Sequence, residues 1–232
     1  MTRRRVSNPL ALAVLGCLSE RPMHPYEIST TLRSRGKEQS IRLNYGSLYA
    51  VVESLQKHGL IAVRETTREG RRPERTVYEI TTAGQDEFED WLAELLSDPV
   101  RDFTSLEAGL SLMPGLPPDE VARLLTERAD KLRIELREMD AMFAETEAMG
   151  LPELVLVESR YRQRMLAAEL EFVASLARSI RDGSFPGTKA WRRLHELRGE
   201  GVSFQEILGD PVRYLGEEAR GLAPRPPDES GQ

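Results

Sequence analysis

Apolar residues recur at helical spacing in three short segments at the beginning of the chain. The first segment follows Asn8-Pro9; Asn can accept hydrogen bonds from the first amides of a helix, and Pro fits its first turn. The second begins at Pro25, and the third runs from Asn44 to Gly59. The pattern therefore predicts three short helices. Their apolar positions are Leu10, Val14, Leu15 and Leu18, then Tyr26, Ile28 and Leu32, then Leu48, Val51, Val52 and Leu55.

The third predicted helix has a second face, opposite its apolar side, that differs from an ordinary solvent-exposed surface. Its residues are mostly small or end in hydrogen-bonding groups, whereas a surface without a partner usually carries many Lys and Glu side chains. We therefore expect this face to contact another molecule. It comprises Tyr45, Gly46, Tyr49, Ala50, Glu53 and Lys57.

Residues 60–67 alternate between apolar and polar side chains, and residues 77–80 form a second short run of strand-forming residues. The segment between them, residues 68–73, is rich in Arg and contains a Gly and a Pro. This pattern predicts a β-hairpin with a basic tip. A capping box that begins at Thr82 then predicts a fourth helix. Its buried side is expected to carry Phe88, Trp91, Leu92 and Leu95.

Three short helices followed by a hairpin and a fourth helix is the element order of a winged helix-turn-helix. In that fold the third helix lies in the major groove of DNA, which is roughly 12 Å wide. Arg71 and Arg72 at the hairpin tip could then reach phosphates or the minor groove, although a turn of this composition can also be simply solvated. The expected fold is mainly α with a small β-hairpin, and the winged helix-turn-helix domain is expected to span residues 1–98.

Two long segments with a near-heptad apolar pattern follow. After a short helix expected at Thr104, Pro117-Pro118 opens the first long segment, and the tight reversal Gly150-Leu151-Pro152 separates it from the second. The pattern predicts a long antiparallel helical hairpin within residues 99–182. The two apolar stripes are Val121, Leu125, Ala129, Leu132, Leu136, Met139 and Phe143, and Leu154, Val157, Tyr161, Met165, Ala168, Phe172, Leu176 and Ile180.

A hairpin roughly 45 Å long, at 1.5 Å per residue, would extend beyond a domain of about 90 residues and leave apolar surface for a second copy to cover. We therefore expect the hairpin to be the dimerisation element of a homodimer, the alternative being that it packs only within its own chain. A two-fold dimer predicts an inverted-repeat operator. The residues expected at the dimer interface are Leu125, Leu132, Leu136, Phe143, Tyr161, Ala168, Phe172 and Leu176.

The end of the chain continues past this hairpin. Residues 183–220 are expected to form a helical extension of unassigned role, with one helix around Trp191 and two more that begin after Ser203 and Asp210. Residues 221–232 are rich in Pro and polar residues, so they are expected to be a disordered tail.

The net charge of −6 is unevenly distributed along the chain. Residues 1–80 carry 14 Lys and Arg against 8 Asp and Glu, a balance of +6, whereas residues 81–232 carry 18 against 30, a balance of −12. Opposite signs in two parts of a chain are expected when only one part meets a polyanion, although acidic helices are also common on soluble proteins. The charge alone only slightly favours a nucleic-acid partner.

Little in the sequence points to catalysis, metal binding or a membrane. The histidines stand far apart, and no metal-ligand spacing, phosphate-binding glycine loop or GxSxG elbow occurs. The longest apolar run, Leu10–Leu18, is far shorter than the roughly 20 residues that span a bilayer. The single cysteine, Cys17, is expected to be a small core residue. We therefore expect a cytoplasmic protein that is not an enzyme and uses no cofactor or metal.

Five short motifs resemble, in order, the PadR family of bacterial transcriptional regulators. They are Leu-Ala-Val-Leu-Gly at 12–16, His-Pro-Tyr-Glu-Ile at 24–28, Gly-Ser-Leu-Tyr at 46–49, Leu-Gln-Lys-His-Gly-Leu-Ile at 55–61 and Tyr-Glu-Ile-Thr-Thr-Ala-Gly at 78–84. The resemblance is close over residues 8–98 and concerns only the helix layout over residues 100–182. It implies a cytoplasmic dimer, usually a repressor, that releases operator DNA when a small molecule binds. His24-Pro25 departs from the family, which often has Ser-Gly before the Tyr.

The resemblance also implies that Tyr49 and residues 44–47 lie at the DNA-facing start of the recognition helix. The chemistry of the residues agrees, because Gly46 permits close backbone approach and Ser47 can donate a hydrogen bond to phosphate. Alternatively, Asn44 could be only a helix cap and Tyr49 a half-buried helix residue. The full set of expected DNA contacts is Arg42, Asn44, Tyr45, Gly46, Ser47, Tyr49, Lys57, Arg71 and Arg72.

The expected function is that of a dimeric, sequence-specific repressor that binds a double-stranded DNA operator and is released by a small aromatic or drug-like effector. The candidate effector-binding residues are Tyr161, Met165, Phe172 and Trp191, although large apolar residues at this spacing are more often plain core. The alternative function is a protein-interaction module in which the winged fold and the acidic helices dock on another protein.

Overall fold

The structure is a computed structural model that describes residues 8–39, 41, 45–67, 75–99 and 101–222. The chain divides into two units, Met1–Asp102 and Phe103–Gln232. The first unit is mainly helical with a two-stranded antiparallel sheet, as the sequence predicts. Its elements are α1 (Pro9–Glu20), α2 (Pro25–Ser34), a 3₁₀ turn (Lys37–Gln39), α3 (Tyr45–Lys57), β1 (Ile61–Thr67), β2 (Arg75–Ile80) and α4 (Thr82–Ser97).

Helix α1 forms the centre of the first unit. Asn8 caps it, since the Asn8 side chain accepts a hydrogen bond of 2.9 Å from the backbone N–H of Leu10. The apolar positions that the sequence assigns to α1 and α3 are buried in one core with Ile28, Leu32, Ile61 and Trp91. Cys17 belongs to the same core, and burial raises the pKa of its thiol. The expectation that Cys17 is a core residue is therefore confirmed.

The start and the outer side of α4 differ from the prediction. The N-cap is Thr81 rather than Thr82, because the Oγ1 atom of Thr81 accepts the backbone N–H of Gly84 at 3.0 Å. Trp91 is buried and Phe88 packs against the core, as expected. Leu92 and Leu95, however, are 40% and 50% exposed, so the apolar stripe of α4 is wider than the face that the unit buries.

The strands β1 and β2 pair with Ile61 opposite Ile80, and the register shifts between Val63 and Glu65. A third segment extends this hairpin, because Met23 forms an isolated antiparallel bridge with Tyr78. The predicted basic tip, residues 68–73, lies outside the described residues. The described part of the hairpin is therefore its base, which packs on the core through Ile61 and Ile80.

All regular secondary structure in the described residues of the second unit is helical. Two long helices pack together as the predicted antiparallel hairpin, and the reversal between them places Gly150 at a φ of 68°. The elements are α5 (Ser105–Leu112), a 3₁₀ turn (Met113–Gly115), α6 (Pro118–Ala148), α7 (Glu153–Asp182), α8 (Thr188–Gly199), α9 (Phe204–Gly209), α10 (Pro211–Leu215) and a 3₁₀ segment (Glu217–Leu222).

The contact between α6 and α7 uses the predicted stripe of α6 but a different stripe of α7. Val121, Leu125, Ala129 and Leu132 of α6 are buried, as the pattern predicts. On α7 the fully buried residues are Leu156, Val173, Ala177 and Ile180, and of these only Ile180 belongs to the predicted stripe. The predicted apolar stripe of α7 therefore lies mostly outside the contact with α6. Apolar residues occupy two faces of α7, and α6 covers one of them.

The predicted helical extension after residue 182 is present as α8, α9 and α10. Ser203 and Asp210 cap α9 and α10 as expected, through hydrogen bonds to the backbone N–H groups of Glu206 and Arg213. Trp191 of α8 is buried in the same cluster as the α6–α7 contact. The predicted tail, residues 221–232, begins within the last 3₁₀ segment and otherwise lies outside the described residues.

Candidate nucleic-acid interface

Helix α3 presents one face to the core and the opposite face to solvent. Leu48, Val52 and Leu55 are at most 2% exposed, whereas Tyr49 is 51% exposed. Gly46, Ser47, Ala50, Glu53 and Lys57 are exposed as well. The face that the sequence singles out for a contact is therefore accessible within this unit. Its described residues offer the phenol of Tyr49, the hydroxyl of Ser47, the ammonium group of Lys57 and the carboxylate of Glu53, together with two small residues.

The C-terminal end of α3 is fixed by a compact set of hydrogen bonds. The helix ends at Lys57, and Gly59 follows in the turn with a φ of 71°, which favours glycine. The backbone N–H of Leu60 donates to the carbonyl of Leu55 at 3.0 Å. The hydroxyl of Thr81 donates to the carbonyl of Gly59 at 2.7 Å, so the end of α3 is tied to the start of α4. These bonds fix the position of the end of α3 relative to α4.

Helix α2 is held at both ends. His24 caps its N-terminus through Nδ1, which accepts the backbone N–H of Tyr26 at 3.1 Å, and Glu27 completes a capping box. At the other end the guanidinium of Arg35 donates two hydrogen bonds to Glu20 of α1, and the longer of them is 2.7 Å. That pair holds the pKa of Glu20 below its ordinary value. The helix preceding α3 thus has a fixed position against α1.

The nine predicted DNA contacts fall into two groups. Gly46, Ser47, Tyr49 and Lys57 all lie on the exposed face of α3. Tyr45 is the first residue of α3, and its side chain lies outside the described part of the structure, as do Arg42, Asn44, Arg71 and Arg72. For the described residues, the structure brings together on one helix face what the sequence places there.

The four candidate effector-binding residues do not share one cavity. Tyr161, Met165 and Phe172 lie on the exposed side of α7, with exposed fractions of 67%, 53% and 52%. Trp191 is 9% exposed and lines a cavity of about 770 Å³ in the C-terminal extension, which none of the other three reaches. The sequence contains no local signal for this cavity, because its walls come from segments far apart in the chain.

The eight predicted dimer residues also divide into groups. Leu125, Leu132 and Phe143 are buried within their own chain, so the dimer role predicted for them is corrected to packing within the helical hairpin. Tyr161, Ala168 and Phe172 are exposed on α7, and Leu136 and Leu176 are partly exposed. The apolar surface that a second copy could cover therefore lies mainly on α7.

The described residues offer no sign of a metal site or a membrane helix. No group of three or more His, Cys, Asp or Glu side chains within the described ranges could hold a metal ion. Nor does any helix within those ranges combine the length and the hydropathy that a bilayer-spanning helix needs.

Comparison with known proteins gives consistent matches. The sequence profile described as "Transcriptional regulator PadR-like family" matches residues 14–90. The negative transcriptional regulator PadR of Bacillus subtilis (strain 168) is 24% identical over 180 residues, covering 72% of this chain and 96% of that protein. Two solved structures of Bacillus subtilis PadR are similar in fold, each with a TM-score of 0.56. The complex with operator DNA is 21% identical and covers 73% of this chain and 99% of that chain. The complex with p-coumaric acid is 19% identical and covers 72% and 98%.

Proposed function

Because the chain belongs to the PadR-like family of transcriptional regulators, we propose that it is a homodimeric repressor that a small-molecule effector releases from an inverted-repeat operator. Members of this family are regulators rather than enzymes, which agrees with the expectation from the sequence. The observation that carries the proposal is the exposed face of α3, where Tyr49 is 51% exposed while Leu48 and Leu55 are buried.

This face has the properties of a DNA-reading surface. A helix fits the major groove when its outer side is slim. The small residues Gly46 and Ala50, which lie on the same face as Tyr49 and Lys57, keep this side slim. Ser47 can donate to a phosphate, and Lys57 can neutralise one. Residues 1–80 carry a balance of +6, which favours approach to a polyanion even though the whole chain is acidic. The related PadR of Bacillus subtilis has been crystallised with operator DNA.

The dimer part of the proposal is supported by the outward side of α7. Its large apolar residues include Leu154, Val157, Tyr161, Met165 and Phe172, each more than half exposed in the single chain. A continuous exposed apolar stripe of this kind is uncommon on a monomer and fits a self-complementary two-fold contact. A two-fold dimer presents two copies of α3 to major grooves about 34 Å apart, which requires an inverted-repeat operator.

The effector part of the proposal is supported by the related protein that binds p-coumaric acid in its crystal structure. An effector lowers operator affinity when it binds better to a conformation in which the two α3 helices are wrongly spaced. A small aromatic or drug-like molecule is the class of effector that we propose here.

The proposal is tested by footprinting the full-length protein on the intergenic DNA upstream of its own gene. We expect one protected inverted repeat at 50 mM salt, with affinity falling about 10³- to 10⁵-fold at 200 mM salt if 6 to 10 phosphates are contacted. Tyr49→Ala should weaken binding to this operator more than to unrelated DNA, whereas Arg71→Ala or Arg72→Ala should weaken both alike. If the protein protects no DNA at low salt and another protein co-purifies with it, the result would instead favour a protein-interaction module.

A further inference from the structure

The C-terminal extension and the 3₁₀ turn Met113–Gly115 line an open apolar cavity of about 770 Å³. Helices α8, α9 and α10 supply most of the walls, and the turn before α6, the turn before α8 and the last 3₁₀ segment complete them. The volume lies in the range of pockets for drug-sized molecules. Aromatic and branched aliphatic side chains supply most of the lining. The principal ones are Phe185, Trp191, Leu194, Phe204, Leu208 and Leu215.

Hydrogen bonds hold the walls of this cavity in place. The indole Nε1 of Trp191 donates to the backbone carbonyl of Leu116 at 2.9 Å, which fixes the ring against the turn before α6. The hydroxyl of Thr188 is buried and donates to the carbonyl of Phe185 at 2.6 Å. The backbone N–H of Phe185 donates to the carbonyl of Ser179 at 2.9 Å. The cavity is therefore largely preformed.

Two charged residues line this apolar space, Arg198 of α8 and Glu218. Neither side chain forms a hydrogen bond or an ion pair with any residue in the described ranges. Arg193 on the same helix differs, since its guanidinium pairs with Glu196 and Glu200. A guanidinium at the edge of an apolar pocket is suited to hold an anionic group by charge-assisted hydrogen bonds. Glu218 can accept a hydrogen bond from a donor elsewhere on the same ligand.

We propose that this cavity is a binding site for an aromatic molecule that bears one anionic group, with the rings against Trp191 and Phe204 and the anion on Arg198. The site can exist whether or not the chain binds DNA. Its use as the effector site rests on the proposed function. Binding is therefore tested without DNA, so a failure here is distinguishable from a failure of the repressor proposal.

The experiment uses two fluorescent probes that differ by one sulfonate, 8-anilinonaphthalene-1-sulfonate and the neutral N-phenyl-1-naphthylamine. The full-length Trp91→Phe variant leaves Trp191 as the remaining tryptophan, and energy transfer from Trp191 to the bound probe is the readout. We expect both probes to bind with saturable energy transfer. If one or both probes show no saturable energy transfer, the proposal is overturned.

Two pairs of variants locate the probes. Leu194→Glu places a carboxylate in the apolar wall and should abolish transfer to both probes, whereas Leu112→Glu, on an exposed residue of α5, should leave it unchanged. Arg198→Gln should weaken the sulfonate probe about tenfold, in line with a lost charge-assisted bond, and leave the neutral probe within about twofold. Arg193→Gln is its matched control and should change neither. Circular dichroism verifies that each variant is folded. Binding that survives Leu194→Glu, or a sulfonate affinity indifferent to Arg198→Gln, would refute the assignment.

Discussion

Met23 and Tyr78 exchange two backbone hydrogen bonds, each 3.0 Å between nitrogen and oxygen. Met23 immediately precedes the cap of α2, and Tyr78 lies in β2, so the segment before α2 acts as a third strand beside the hairpin. The side chain of Met23 is 1% exposed, so the junction is anchored in the core as well. The base of the hairpin is therefore joined directly to the segment that leads into α2, and both pack on the same core.

Gly84 has the least room for a side chain among the described glycines of this unit, and it gives a prediction about stability. A Cβ atom added to Gly84 would lie 1.9 Å from the carbonyl oxygen of Leu60 and 2.9 Å from the side chain of Ile80. Since backbone must shift to relieve this overlap, Gly84→Ala should lower the free energy of unfolding by about 2–3 kcal/mol. Urea unfolding followed by circular dichroism measures the change.

Gly109→Ala is the matched control for Gly84→Ala. Gly109 lies in α5, and an added Cβ would meet no atom within 4 Å. Alanine is the better helix former, so this substitution should stabilise α5 by about 0.5–1 kcal/mol. Equal effects of the two substitutions would show that the contact between α4 and Leu60 is not as tight as described.

Elements with strong local signals could be predicted from the sequence. Asn8, Thr104 and Ser203 cap helices where short-range chemistry places them, and α1 and α3 bury the residues that their periodicity selects. The exposed face of α3 follows from the same periodicity, because four buried residues on one side of a helix leave the other side to solvent.

Contacts between elements that are distant in the sequence could not be predicted in the same way. Helix α7 carries two apolar faces, and periodicity alone does not tell which one α6 covers; the structure selects the face of Leu156, Val173 and Ala177. Thr81 and Thr82 are both acceptable caps, and the hydroxyl of Thr81 caps α4 while also bonding to Gly59, a contact distant in sequence. The cavity at Trp191 likewise depends on how separate helices meet.

The ion pair between Glu20 and Arg35 predicts a pH-dependent contribution to stability. The hydrogen bond from Arg35 lowers the pKa of Glu20 in the folded protein. The contribution is therefore fully present above the unfolded pKa, about 4.3, and is lost as the pH falls through the lower folded pKa. Because both side chains are about half exposed, solvent screening limits the effect of Glu20→Gln to about 0.2–1 kcal/mol at pH 7.

Urea unfolding at pH 7 and at pH 3 measures this contribution. The difference between the wild type and Glu20→Gln should shrink at the lower pH. Glu53→Gln is a suitable control, because Glu53 lies on the exposed face of α3 and forms no ion pair within the described part of the chain. A destabilisation by Glu20→Gln that is the same at both pH values would contradict the role assigned to the pair.

Lys57 gives a prediction about the salt dependence of DNA binding. It is exposed at the end of α3, where an ammonium group can neutralise one phosphate. Lys57→Gln should reduce the slope of log Kd against log salt concentration by about 0.9 and weaken binding to all sequences alike. Fluorescence anisotropy between 50 and 200 mM salt measures the slope. Lys189→Gln, at an exposed position of α8, should leave it unchanged; a slope indifferent to Lys57→Gln would remove Lys57 from the contact surface.

Phe172 tests the proposed dimer. Its side chain is 52% exposed on the outward face of α7, so Phe172→Glu should leave the single chain folded, yet it would place two carboxylates in the apolar contact between copies. We expect sedimentation velocity to show a dimer for the wild type and a monomer for Phe172→Glu at micromolar concentration. Ala167→Glu introduces the same charge at an exposed position of α7 outside this stripe, and it should remain dimeric. Since a monomer offers only one α3 to the operator, Phe172→Glu should also lose most of its operator affinity. A dimeric Phe172→Glu would place the contact between copies on another surface.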